Sequence, residues 1–109
     1  MRLDVGPLPD DPLAASARFH AAVLPRALAA LDAGAAALTL VFAPAAHEHS
    51  AWRATAIQTL ARARAPARIN ALVSDDEAAI AAALAYVGAA PGLTGQCLAL
   101  DGAGAGSVV

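Results

Sequence analysis

The sequence predicts an α/β domain: three or four parallel strands with about three helices. Three observations predict it. Short apolar runs of strand length alternate with longer stretches of helical spacing, in the order strand, helix, strand, helix, strand, helix, strand. Each link between consecutive strands is long enough for a crossover to a parallel neighbour. At 109 residues, 59% hydrophobic and 15% charged, the chain holds one domain. A domain of this size can bury about 65% of its unfolded surface, and there is no length for a second.

Leu3-Asp4-Val5 is a short strand, broken by Gly6-Pro7-Leu8-Pro9-Asp10. Asp11 as N-cap and Pro12 at the first helical position open a helix. Leu13, Phe19, Val23, Leu24, Leu28 and Leu31 are its apolar positions, Pro25 should kink it and Gly34 should end it. The run from Ala37 to Ala43, closed by Pro44, reads as a strand buried on both faces. A second helix covers about Ser50 to Arg64, with Trp52, Ala56, Ile57 and Leu60 on its apolar stripe, and Arg53, Gln58, Arg62 and Arg64 mostly opposite. Pro66 stops it. Arg68 to Val73 is the third strand, and Ser74-Asp75-Asp76-Glu77 has the form of a capping box for a third helix. Ile80, Leu84 and Val87 line that helix, Gly88 sits at its C-terminus and Pro91-Gly92 makes the turn. Gln96 to Leu100 is the last strand, and residues 102–109 are expected to be a flexible tail.

If the strands are consecutive neighbours and every crossover is right-handed, all three helices lie on one face of the sheet and the other face is bare. The strands carry apolar residues on both faces, so a bare face exposes several hundred Å², more than soluble monomers usually tolerate. On this reading the chain is an obligate oligomer.

Charge narrows the partners. There is no lysine, the seven cations are scattered arginines and the net charge is -2, which does not suit a nucleic-acid footprint. The apolar runs are cut at Asp32, Pro44 or Arg68, too early to span a membrane, and the acid- and proline-containing start does not read as a secretory signal, so the expected location is cytoplasmic. Cys97 is the only cysteine and reads as a small buried hydrophobe.

The motifs that carry chemistry are few. His47-Glu48-His49 groups three possible metal ligands, but residues so close in sequence do not converge without a special loop, and they read as solvent-exposed helix-start residues, so no metal is expected. His20 reads as a packed or interface histidine, and Asp75, Asp76 and Glu77 as a capping run. Ser16, Ser50, Ser74 and Ser107 all lack the glycine-flanked turn of a serine nucleophile.

From Phe19 onward the chain resembles the C-terminal half of the short-chain dehydrogenase/reductase family. The resemblance runs through Ala22-Val23-Leu24-Pro25, Leu38-Thr39-Leu40-Val41 and Pro66-Ala67-Arg68-Ile69-Asn70-Ala71, and above all Leu93-Thr94-Gly95-Gln96-Cys97-Leu98-Ala99-Leu100-Asp101-Gly102. It implies a truncated Rossmann-like sheet. The family's glycine-rich cofactor turn has no counterpart, since Gly102-Ala103-Gly104-Ala105-Gly106 is followed by no helix. Where the family carries a catalytic tyrosine and a lysine four positions later, the matching places hold His49 and Arg53. Arginine does not replace that lysine, and Asn70 reads as structural.

The resemblance therefore implies no cofactor and no catalytic residue. It points to a non-catalytic domain acting through assembly, as a homo-oligomer or with a full-length family member. Phe19, His20, Val23, Trp52, Ile57, Leu98 and Leu100 are the candidate interface. The alternative is a subunit of an NAD(P)-dependent oxidoreductase whose site a partner chain completes. A third reading is a small-ligand module using the strand ends near Pro44, Ser74 and Asp101.

Overall fold

The computed structural model describes residues 1–100; the expected tail lies outside them. Four parallel strands stand side by side in chain order: β1 (Arg2–Asp4), β2 (Ala37–Phe42), β3 (Arg68–Val73) and β4 (Cys97–Ala99). This is the α/β, Rossmann-like class expected. Leu3 pairs with Leu40, Leu40 with Ala71 and Ala71 with Cys97, so these side chains share one face. Asp4, Val41, Leu72 and Leu98 form the corresponding row on the other.

The first crossover is α1 (Pro12–Arg18), a π-helical turn (Phe19–Val23) and α2 (Leu24–Asp32). Asp11 caps α1, its carboxylate accepting the Ala14 N–H at 2.9 Å. The helix does not simply kink at Pro25. The turn before it widens, and the Leu24 N–H reaches back to the Phe19 carbonyl, five residues away. Ala15, Phe19, Val23 and Ala27, spaced by four, are all buried. In an unbroken α-helix each step of four would rotate the stripe by about 40°; the wide turn takes part of that back. Leu13, expected on this stripe, is 81% exposed. Gly34 closes the segment at φ +105°, with the Ala35 N–H on the Ala30 carbonyl and its own N–H on Leu31, a Schellman ending only glycine enters freely.

A 3₁₀ turn (His47–His49) leads into α3 (Ser50–Ala63). The last helix, α4 (Glu77–Gly88), starts later than the expected capping box. Asp76 is the N-cap, accepting from the Ala78 and Ala79 N–H groups, while Ser74 Oγ accepts the Asp76 N–H. Gly88 is the last helical residue and lacks the positive φ of a glycine terminator.

The expectation of one covered and one bare face is corrected. Phe19, Val23, Ile57 and Leu60 from the first crossover and α3 pack on Leu3, Leu40, Phe42, Ile69 and Ala71. Ile80, Ala83 and Val87 of α4 pack instead with Val41 and Leu72, joined by Leu98 and Leu100, on the opposite face. The strands keep advancing in one direction while the helix changes sides, so the third crossover has the opposite hand to the first two. Apolar residues on both faces of β2 and β3 supply the second surface that α4 covers. Arg2 of β1 reinforces this by donating to both carboxylate oxygens of Glu77 at the start of α4, at 2.9 and 2.7 Å. With this face covered from within, the case for an obligate partner laid on the sheet falls away. No helix among the described residues is long and apolar enough to cross a membrane.

Candidate functional site at the strand ends and the helix groove

His49 ends the 3₁₀ turn with only 3% of its surface exposed, whereas His47 and Glu48 are exposed as expected. Trp52 Nε1–H donates to His49 Nδ1 at 3.1 Å, and His49 Nε2 lies 2.9 Å from the Asp10 carbonyl. Nδ1 therefore accepts, and Nε2 carries the ring proton and donates it to Asp10. The protein uses both nitrogens. Among the described residues no three His, Cys, Asp or Glu side chains gather as metal ligands.

Arg53 departs most from the sequence reading. Placed there on the polar side of its helix, it is only 6% exposed. The buried stripe of α3 is Arg53, Ile57, Leu60 and Ala61, so the helix is turned by about one residue, leaving Trp52 and Ala56 half-buried. The guanidinium carbon lies 4.6 Å from the centre of the Phe42 ring and 5.9 Å from that of Trp52. Its Nε–H has no hydrogen-bond partner, and no carboxylate among the described residues forms a salt bridge with it. Burial pushes the Arg53 pKa down, and burial pushes that of the half-buried Cys97 thiol up.

Arg53 separates two cavities beyond the carboxyl ends of the strands, where open α/β sheets place ligands. One, of about 230 Å³, is bounded by Gly6, Leu8, Asp10, Pro44 and Glu48. The other, of about 260 Å³, is bounded by Ser50, Ala54, Val73, Cys97 and Ala99. Ala45, Ala46, His49 and Arg53 belong to both. Ser74 faces its own turn, and Asp101 lies outside the described residues. Asn70 is structural as expected: Nδ2 donates to the Leu93 carbonyl and Oδ1 accepts the Gln96 N–H, holding the loop before β4 to β3.

A dinucleotide does not fit the helix starts at this edge. A pyrophosphate needs free backbone N–H groups and a positive helix end. The turn after β1 contains Pro7 and Pro9, and α1 opens with Asp11 and Pro12. Asp76 already occupies the first N–H groups of α4, with Glu77 behind it. Both helix ends offer negative charge where a pyrophosphate would sit.

On the outer side of the helices, α2 and α3 diverge around a groove of about 570 Å³ lined by Phe19, His20, Leu24, Leu28, Trp52, Ala56 and Leu60, with Thr55 and Thr59 at exposed positions. Of the expected interface residues, exposed His20 and half-buried Trp52 face this groove, with Phe19 beneath them. Val23 and Ile57 are spent in the chain's own core, and half-buried Leu98 and Leu100 belong to the α4 face.

A family model described as short chain dehydrogenase-like protein matches residues 3–100. The chain belongs to this SDR-like family. The match spans all four strands and all the helices, including α4 on the second face of the sheet. No curated protein and no solved structure matches the chain.

Proposed function

We propose that this SDR-like chain is a non-catalytic assembly module that pairs with a second copy of itself through the groove between α2 and α3. The apolar groove carries this reading. Leu24, Leu28, Trp52 and Ala56 remain half-buried there with no apolar neighbour on the outer side. Two such helix pairs facing each other about a two-fold axis would form a four-helix layer that buries both grooves with the same residues. The non-catalytic part rests on His49 and Arg53 at the places that resemble the family's proton-transfer pair. His49 has both nitrogens committed to protein, and arginine does not release its proton near neutral pH.

Size-exclusion chromatography with light scattering at micromolar concentration tests the pairing. The expected mass is twice 10.8 kDa, and Thr55→Arg, at an exposed groove position, should return it to a single chain with unchanged circular dichroism. A folded wild-type monomer across that range would refute the pairing.

A second reading, an NAD(P)-dependent oxidoreductase subunit completed by a partner chain, draws on the two cavities at the strand ends. Titration with NADPH and NADH separates the two: saturable quenching of Trp52 fluorescence by the isolated chain would favour the oxidoreductase.

A further inference from the structure

We propose that Arg53 anchors a binding site for a small monocarboxylate, in the cavity between α3 and the ends of β3 and β4. The site is distinct from the pairing groove and does not depend on it. A guanidinium that is nine-tenths buried, stacked on Phe42 and without an acid partner among the described residues is an unneutralised charge in an apolar setting. Desolvation makes a charge-assisted hydrogen bond to such a group stronger than the same bond at the surface, and the planar fork of arginine fits the two oxygens of a carboxylate.

The walls select the cavity and the ligand. On the β1 side Asp10 and Glu48 stand in the wall and repel an anion. On the β3 and β4 side the wall consists of Ala54, Val73 and Ala99, with the Ser50 hydroxyl as a further donor and the Cys97 thiol held towards its neutral form by burial. One positive charge against aliphatic walls matches one carboxylate with a short apolar tail. A phosphate dianion would ask for a second cation, and Arg53 is the only arginine lining this cavity.

The probe is sodium butyrate, titrated into the full chain and followed by calorimetry and by the fluorescence of Trp52, whose ring lies beside the guanidinium. Saturable butyrate binding is expected, with no comparable response to sodium chloride or sodium phosphate at equal ionic strength. Arg53→Met should weaken it at least tenfold. Ala99→Leu, which fills the cavity from an exposed position on β4 and leaves the guanidinium in place, should do the same. A butyrate response no larger than that to chloride would overturn the proposal, as would one that survives either substitution. Phosphate binding as tightly as butyrate would overturn the assignment to a monocarboxylate. If Arg53→Met does not fold, Ala99→Leu decides the question.

Discussion

Replacing Arg53 by methionine should stabilise the protein. In the ligand-free chain a buried Nε–H without a partner costs about 1–3 kcal/mol. Stacking of the guanidinium over Phe42 and Trp52 returns about 0.5–2 kcal/mol. Methionine fills a similar volume, keeps an unbranched path along the Phe42 ring and replaces the cation–aromatic contact with a sulfur–aromatic one. The balance is a gain of about 1 kcal/mol, which for a domain of this size raises Tm by about 4–8 °C. Because the folded-state pKa of Arg53 lies below its unfolded value, the unfolded chain holds the proton more tightly. The resulting penalty is complete at every pH below the folded value and lifts only as the pH rises through it, so the gain should be constant between about pH 5 and about pH 9. Calorimetry and urea unfolding followed by Trp52 fluorescence measure it. An Arg53→Met protein of equal or lower stability would show that the guanidinium is held favourably, and the argument from an unpaired charge would fail.

Asn70→Ala should cost about 1–3 kcal/mol, because it leaves the Leu93 carbonyl and the Gln96 N–H without their partner; faster hydrogen exchange at the Gln96 amide, with the helices still protected, is the expected signature. Glu77 is held below its ordinary value of 4.5, first by its hydrogen bonds to Arg2. Its contribution to stability is thus present above the unfolded value and lost as pH falls through the folded one. The Tm difference between wild type and Glu77→Gln should therefore shrink as pH drops from about 6 to about 3, and a difference that grows on acidification would contradict the pairing.

Much of the fold was legible in the sequence because its signals are local. Asp11-Pro12, Gly34 and the flanking prolines mark the element ends through backbone chemistry that no tertiary contact overrides. The side of the sheet on which α4 lies was not legible, since a helix pattern shows which residues are buried but not against which face. The clue was present in Val41 and Leu72, apolar residues on the face away from the first helices. It was assigned to a partner because right-handed crossovers are so nearly universal. The site was less legible still. A charged residue beside a tryptophan reads as solvent-facing, and only the phase of α3, set by packing of Ile57 and Leu60 on the sheet, turns Arg53 inward. His49 was misread for a related reason: the 3₁₀ turn that aims its ring at Asp10 and Trp52 has no strong sequence signature.

The wide turn at Phe19–Val23 acts as a phase adjuster. It accommodates one more residue than regular winding would, between a half that is fixed by Asp11 and a half that is fixed by Gly34. Deleting exposed Ala21 or Ala22 would let the segment relax to ordinary winding, but everything after it would swing by about 100° about the axis. Leu24 and Leu28 would leave their places opposite Trp52 and Ala56, so one small residue in the wall of the first crossover sets whether those two leucines look across at α3 at all.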